Sequence, residues 1–152
     1  MNSSAELRVL PDTTYILPIL GVRVKEVETT IEKLGKLWRN GKVKLYYSPF
    51  SLLEALGKIA KLNYDTATLL LGLKIIEEEF EKATPTPEGY LKALELKRAG
   101  FPDLIDLLLY ETSLTRRILL LTRDENLLTF LEKRGENLSY ILLEKEFLCE
   151  KI

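Results

Sequence analysis

The sequence predicts an α/β domain with a mainly parallel central sheet. Short segments rich in strand-forming residues alternate with longer segments whose apolar residues recur at helical spacing, which is typical of such sheets. The length of 152 residues and the 46% share of hydrophobic residues suit one domain, residues 1–152, with a sizeable core. Because ligand sites in parallel sheets gather at the carboxyl ends of the strands, polar residues that directly follow a strand are the first functional candidates.

The first half of the chain is predicted to contain two strands and four helices. The strands are "LRVLP" and "KVKLYYS", and the helices are "DTTYIL", "VKEVETTIEKLGKLWRNG", "SPFSLLEALGKIAKL" and "DTATLLLGLKIIEEEF". Pro18 should end or kink the first helix, and Gly41 is a plausible stop for the second. Pro49 suits the start of the third helix, and Asp65 suits the N-cap of the fourth.

The second half begins with the segment "ATPTPEG", whose prolines predict a loop. Two helices follow, "PEGYLKALELKRAG" and the strongly apolar "PDLIDLLLYETSL". The buried strand "RILLLT", the helix "DENLLTFLEKRG" and a last strand, "LSYILL", complete the alternating pattern.

Composition excludes several kinds of active site. The chain contains no histidine and a single cysteine, Cys149, which removes histidine-based catalytic triads, histidine metal ligands, intrachain disulfides and cysteine-rich zinc sites. The net charge of −1 means that a nucleic-acid ligand would contact local basic patches rather than a generally basic surface. Glutamine is absent, and Lys and Glu are abundant, which leans toward the composition of a thermophile. Since neither a membrane-spanning run nor a signal peptide is present, we expect a cytoplasmic protein without a membrane partner.

Two aspartates follow strands directly. Asp12 comes after "RVLP" and Asp124 comes after "RILLLT", and each precedes a predicted helix. Either residue could be a simple N-cap, whose side chain accepts hydrogen bonds from the first turn. Both also lie at strand carboxyl ends, where they could share a metal ion. The two roles are compatible, because a capping carboxylate is held in one orientation.

Three further acids lie within predicted helices. Glu54 belongs to a polar column with Ser51, Lys58 and Lys61, so a solvated helix face with a Glu54–Lys58 pair is one interpretation. Asp103 and Asp106 share a face of the apolar helix, and Asp103 suits the first turn after Pro102, where it would favour the helix dipole. Asp106 stands among leucines, where an unpaired carboxylate would be costly, so a divalent cation is one candidate for its partner.

A cluster of these acids would favour one kind of chemistry. Carboxylates that converge in a cleft repel one another and become favourable when they hold a hard cation such as Mg²⁺. One or two such ions can activate water and stabilise the anionic transition state of phosphodiester cleavage. In a chain without histidine, this is a natural route to hydrolysis.

Four segments, from about Val9 to Asn126, resemble a known family when taken in order. "VLPDTTYI", "YYSPFSLLEAL", "PDLIDLLLYETSL" and "ILLLTRDENL" are similar to the acid-bearing segments of the PIN domain, a small metal-dependent nuclease fold that includes the VapC-type toxins. The match places the acids at Asp12, Glu54, Asp106 and Asp124, with Asp106 fitting better than Asp103. Two features depart from the pattern: the early Pro18, and the bulky "LLLYETS", which adds an acid at Glu111.

The resemblance implies a three-layer α/β/α fold with a sheet of four to five strands. It further implies an Mg²⁺- or Mn²⁺-dependent ribonuclease that forms a homodimer, in many cases the toxin of a pair with a small antitoxin protein. Its metal ligands would be Asp12, Glu54, Asp106 and Asp124, with Asp103 as an accessory acid. Thr13 and Thr122 would orient carboxylates.

Basic residues near these segments are candidate RNA contacts, namely Lys58, Lys61 and Arg123. An alternative function stays open: a PIN-like factor in RNA processing or ribosome maturation, or a catalytically weak module that docks on a protein, for which the net charge of −1 is suitable. A phosphatase with a nucleophilic Asp12 is disfavoured, because "DTTY" has no second acid two residues later.

Overall fold

The computed structural model describes residues 6–151, which form a five-stranded sheet with helices on both faces. The strands are β1 (Leu7–Pro11), β2 (Val43–Tyr47), β3 (Glu81–Lys82), β4 (Leu119–Thr122) and β5 (Ile141–Leu143). The helices are α1 (Thr13–Ile19), α2 (Glu28–Arg39), α3 (Pro49–Ile59), α4 (Thr66–Glu79), α5 (Pro87–Arg98), α6 (Leu104–Arg116), α7 (Glu125–Lys133) and α8 (Glu144–Cys149).

The strand order is β3-β2-β1-β4-β5, and every pair of neighbouring strands is parallel. The central strand β1 therefore has β2 on one side and β4 on the other, although β4 follows it by more than a hundred residues in the chain. Parallel neighbours end at the same edge of a sheet, so the residues after β1, β4 and β5 lie along one edge. The predicted α/β class with a parallel sheet is confirmed.

Alternate strand residues pack into two separate cores, as the pleat of a strand requires. Leu10 and Leu120 face the helices α5, α6 and α7. Val9 of β1 and Leu121 of β4, each one residue along its strand from Leu10 or Leu120, instead pack against α2 and α8. The sheet is thus the middle layer of an α/β/α sandwich, and the helix α6 lies against its face beside β1 and β4.

Some element boundaries differ from the prediction. The second helix was expected from Val24, but α2 starts at Glu28, because Glu26 adopts a left-handed backbone conformation with φ of 63° that an α-helix cannot contain. The short edge strand β3 and the helix α8 were not predicted, since two residues, or six, carry too little periodicity. Gly41 follows α2 with φ of 70°, as its predicted role as a stop requires.

The start of α6 also corrects an expectation. Asp103 was placed inside the first turn, but it is the N-cap, and its Oδ1 accepts a hydrogen bond from the backbone amide of Asp106 at 3.2 Å. Pro18 lies in the last turn of α1, which ends at Ile19. Near that end α4 approaches so closely that a Cβ atom on Gly72 would stand 2.2 Å from the carbonyl oxygen of Ile19. None of the helices in residues 6–151 is long and apolar enough to cross a membrane.

One acid of α6 lies away from the strand ends. Glu111 is 1% exposed, and its Oε2 atom makes no hydrogen bond within the described residues. The pKa of Glu111 is raised to about 7, first by burial and then by the negative charge of Glu136, while Lys92 opposes the shift. Lys92 also forms an ion pair with Glu136 at 3.4 Å and one with Glu95 at 3.7 Å, so it compensates Glu111 only in part.

The substitution Glu111→Gln should increase stability at alkaline pH. Because the folded pKa of about 7 lies above the ordinary glutamate value of 4.5, the stabilisation from this group is complete below pH 4.5 and is lost as the pH rises through 7. Glutamine cannot ionise, so we expect the variant to exceed the wild type by about 1–3 kcal/mol near pH 9, with a smaller difference near pH 5. Urea unfolding at both pH values measures this.

The matched control is Glu77→Gln, which removes a carboxylate from the exposed side of α4. This control should show no comparable gain at alkaline pH. Equal stability of Glu111→Gln and the wild type near pH 9 would contradict the assignment of Glu111 as a buried, destabilising acid.

Candidate active site

Asp12 and Asp124 mark the edge of the sheet where the site lies. Asp12 directly follows β1 and caps α1, with its Oδ1 accepting a hydrogen bond from the amide of Thr14 at 2.9 Å. Asp124 follows β4 and caps α7, with its Oδ1 accepting from the amides of Asn126 at 3.0 Å and Leu127 at 3.2 Å. Because β1 and β4 are parallel neighbours, both carboxylates lie at the same edge. The N-cap interpretation is therefore confirmed for both residues.

Asp106 approaches these two from the first turn of α6, where it is half-buried. The pKa of Asp106 is raised to about 8, first by burial and then by the charges of Asp103, Asp12 and Asp124, in that order. A hydrogen bond with Asp124 also favours the protonated form of Asp106, which keeps its pKa high. The leucine-rich helix and the two strand ends therefore bring three carboxyl groups within interaction distance. Asp12, Asp106 and Asp124 are called the acidic cluster below.

Hydroxyl groups counteract the burial of Asp12, which is 8% exposed. The pKa of Asp12 is raised to about 6, because burial outweighs the hydrogen bonds from Thr122 and Thr14, which lower it, and the charge of Asp124 adds to the rise. The Oγ1 of Thr122 also accepts a hydrogen bond from the amide of Asp124 at 3.1 Å. Thr122 therefore contacts both aspartates, and its orienting role stays a prediction.

The second predicted hydroxyl behaves differently. The Oγ1 of Thr13 is buried and has no hydrogen-bond partner within the described residues. Its neighbour Thr14 supplies the hydrogen bonds to Asp12 instead. Adjacent residues of a helix point in different directions, and the sequence carries no signal that distinguishes these two threonines.

Glu54 lies half-buried on α3, which packs against both α1 and α6. Within residues 6–151 its side chain forms neither a hydrogen bond nor an ion pair, so the alternative Glu54–Lys58 pair is not formed. Ser51 is fully buried, which rules out one solvated face for the predicted polar column. Lys58 and Lys61 are exposed at the end of α3. Glu54 therefore stays a predicted ligand. Its helix α3 contacts α1, which Asp12 caps, and α6, which carries Asp106.

Behind the cluster lies a polar network that the sequence did not reveal. Glu144 follows β5 and its Oε2 accepts a hydrogen bond from the hydroxyl of Thr30 at 2.9 Å. Its Oε1 lies 4.0 Å from Nη1 of Arg123, which also donates to the carbonyl oxygen of Lys25 at 3.0 Å. The hydroxyl of Tyr15 is buried nearby, and the charges of Asp12 and Glu144 both raise the pKa of that hydroxyl.

The donor set of the acidic cluster suits a hard divalent cation. Three carboxyl groups supply only oxygen atoms, the ligand type that Mg²⁺ and Mn²⁺ prefer, and their mutual repulsion falls when a cation binds. Within residues 6–151 no three potential ligands already stand in the close geometry of a metal site. The cluster therefore fits such an ion by chemistry and by its position on three elements.

Comparisons with known proteins identify the family and agree with the fold. The family model of the PIN domain matches residues 9–132. The structure of PAE2754 from Pyrobaculum aerophilum is similar, with 16% identity, a TM-score of 0.61 and 96% of both chains covered. A structure of VapBC2 from Rickettsia felis bound to a DNA fragment from its promoter has 15% identity and a TM-score of 0.60, covering 90% of this chain and 96% of that one. FitAcB from Neisseria gonorrhoeae has 15% identity and a TM-score of 0.54, covering 82% and 93%. No curated protein matches the sequence.

The substitution Asp103→Asn should lower the pKa of Asp106. The charge of Asp103 is the largest contribution after burial to the raised pKa of Asp106, and asparagine retains the N-cap. Carboxyl-carbon NMR titration of metal-free protein measures the shift. Asp65→Asn removes a charge from the N-cap of α4 and serves as the control, which should leave the pKa of Asp106 unchanged. If the pKa of Asp106 is unchanged in Asp103→Asn, Asp103 does not interact electrostatically with the cluster.

Proposed function

Because the chain belongs to the PIN domain family, we propose that it is a metal-dependent endoribonuclease whose active site is the acidic cluster. PIN domains are generally nucleases. The observation that carries the proposal is the convergence of Asp12, Asp106 and Asp124 from β1, α6 and β4 at one sheet edge. The raised pKa values of Asp12 and Asp106 indicate that the cluster retains protons which a bound cation would displace.

The cluster and Glu54 would hold Mg²⁺ or Mn²⁺. When bound there, the cation activates water and stabilises negative charge on the phosphodiester. The protein positions the ligands: amide hydrogen bonds fix Asp124, and Thr122 and Thr14 orient Asp12. Asp103 raises the negative potential at the same edge as an accessory acid. With no histidine in the chain, proton transfer falls to carboxyl groups and water.

RNA would reach the site across local basic residues. Arg123 is adjacent to Asp124 in the chain, and its side chain is 35% exposed. Lys58 and Lys61 extend from the end of α3, the helix that carries Glu54. These three side chains supply positive charge on a protein whose net charge is −1, so phosphate contacts would be few and specific in position.

A toxin role with a small antitoxin partner is the proposed cellular setting. The similar structures include VapBC2 and FitAcB, and the former is bound to promoter DNA. An apolar cavity of about 130 Å³ lies between α1, α2 and α4, with Trp38 and Ile75 partly exposed at its wall. Such a cavity suits an apolar side chain from a partner peptide. We assign it to the antitoxin.

A homodimer is proposed on a second surface. Tyr90 of α5 packs edge-on against Phe50 of α3, with 6.1 Å between the ring centroids, so the two helices are neighbours. Leu53 on α3 and Leu91 on α5 are 67% and 65% exposed, and Leu94 is 53% exposed. Exposed leucines on adjacent helices favour burial against an equivalent face of a second copy.

The alternative is a protein-docking module of RNA processing or ribosome maturation, with weak or no catalysis. The exposed leucines favour it, because they provide a surface whose affinity does not depend on phosphate contacts. Calorimetry with Mn²⁺ distinguishes the two functions. Binding in the millimolar range or tighter supports the nuclease, whereas no binding supports the module.

The substitutions Asp12→Asn and Asp124→Asn should abolish Mn²⁺-dependent cleavage of RNA. Asparagine keeps the size and the N-cap hydrogen bond of each residue but removes a negative charge from the proposed ligand set. We expect a loss of at least about a hundredfold in the cleavage rate, with thermal stability near that of the wild type. Gel assays on single-stranded RNA measure the rate. Asp65→Asn is the matched N-cap control, and full cleavage by clean Asp12→Asn protein would overturn the catalytic assignment.

Added Mg²⁺ or Mn²⁺ should raise the melting temperature. A cation that binds only the folded protein stabilises it by about 2.7 kcal/mol at a hundredfold excess over Kd, which corresponds to roughly 5–10 °C. Differential scanning calorimetry with and without metal measures the shift. Asp106→Asn should lose most of it, while the metal-free variant should be no less stable than wild type, since one member of the repelling cluster is neutral. If saturating metal leaves the melting temperature of the wild type unchanged, the proposed cation binding is contradicted.

A further inference from the structure

We propose that Glu144 is a positioning residue that holds the guanidinium of Arg123 away from the acidic cluster and thereby keeps the cluster free for a cation. This inference rests on the proposed function, because it concerns the metal affinity of the same site. Glu144 lies beside the acidic cluster but is not one of its three acids.

Arg123 presents a problem for a metal site. It directly precedes Asp124, and its flexible side chain is long enough to form an ion pair with nearby carboxylates. Such a pair would neutralise part of the charge that attracts a divalent ion. Yet within residues 6–151 no arginine or lysine forms an ion pair with Asp12, Asp106 or Asp124.

The structure shows what engages Arg123 instead. Its Nη1 donates to the carbonyl oxygen of Lys25 at 3.0 Å and lies 4.0 Å from Oε1 of Glu144. The side chain of Glu144 is 14% exposed, and its other oxygen accepts from the hydroxyl of Thr30 at 2.9 Å. Thr30 is itself 1% exposed on α2. One oxygen of Glu144 is therefore fixed by a buried hydroxyl, and the other faces the guanidinium.

Strand pairing explains why these two residues meet. Thr122 of β4 is in register with Leu143 of β5, so Arg123 and Glu144 are the residues that directly follow these two parallel strands. The two side chains leave the same edge of the sheet as Asp12 and Asp124.

Asp12, Glu144 and Arg123 all act electrostatically on the buried hydroxyl of Tyr15. Burial raises the pKa of that hydroxyl first, the charges of Asp12 and Glu144 raise it further, and the charge of Arg123 lowers it. The carboxylates and the guanidinium therefore have opposite effects on the pKa of the same hydroxyl group. Without Glu144, rotation about the arginine side chain would bring its positive charge toward the carboxylates.

A double-mutant cycle with Mn²⁺ and no RNA tests the proposal. Isothermal titration calorimetry would compare wild type, Glu144→Gln, Arg123→Gln and the double variant. Glu144→Gln should weaken Mn²⁺ binding on the order of tenfold, because the released arginine competes with the ion. Arg123→Gln alone should bind at least as well as wild type. In that background, Glu144→Gln should cause little further change, since no arginine remains to be released.

Two further variants separate the guanidinium from simple loss of charge. Glu125→Gln removes a carboxylate beside Asp124 without releasing Arg123, because Glu125 pairs with Lys145 at 3.2 Å, and it should have little effect on Mn²⁺ binding. Thr30→Val removes the hydroxyl that fixes Glu144 while conserving every charge, and it should weaken binding by an intermediate factor. This variant also provides a test if Glu144→Gln folds poorly.

The outcomes are distinct. An equal loss from Glu144→Gln with and without Arg123 would overturn the proposal and indicate a long-range effect of charge alone. No loss in either background would overturn it as well. A wild-type protein that does not bind Mn²⁺ would overturn the proposed function together with this inference, whereas normal wild-type binding without coupling between residues 123 and 144 would overturn only the inference.

Discussion

Electrostatic repulsion among buried carboxyl groups at one edge of the sheet is the constraint on which the rest of the site depends. Asp12 is nearly buried and Asp106 half-buried, and the pKa of each is raised first by burial and then by other acids. Left alone, such groups would separate or take up protons. The fold prevents their separation, because β1 and β4 are paired in register and α6 is packed against the face they form. The repulsion can therefore be reduced only by binding a proton or a cation.

The carboxylate oxygens that cap three helices also belong to the acids at the candidate site. Asp12, Asp103 and Asp124 are each the N-cap of a helix, and their carboxylate oxygens accept backbone amide hydrogen bonds. These bonds stabilise the helix start and also restrict carboxylate rotation, which a metal site requires of its ligands. Capping and the proposed ligation would therefore rely on the same restrained carboxylates. This explains how the chain places acids at its strand ends without losing local stability.

Position on α6 separates two acids that look alike in the sequence. Asp106 lies in the first turn, where it meets Asp12 and Asp124, and Glu111 lies further along the helix, beside Lys92 and Glu136. Both stand among leucines in the sequence, and both have raised pKa values. Of these two acids, only Asp106 lies at the edge where the strands end. Only Asp106 is therefore placed to bind a cation together with acids from other elements. Glu111 is a buried acid with partial compensation from one lysine.

The sequence by itself determined the alternation of strands and helices, the parallel sheet and the acids that follow strands, because these depend on spacing along a few neighbouring residues. Only the tertiary structure decided which acids meet, since β1 pairs with a strand more than a hundred residues away. For the same reason, Ser51 is buried and Glu144 reaches Arg123. Local patterns report which residues share a face. Contacts between elements depend on strand order and register, which no local pattern encodes.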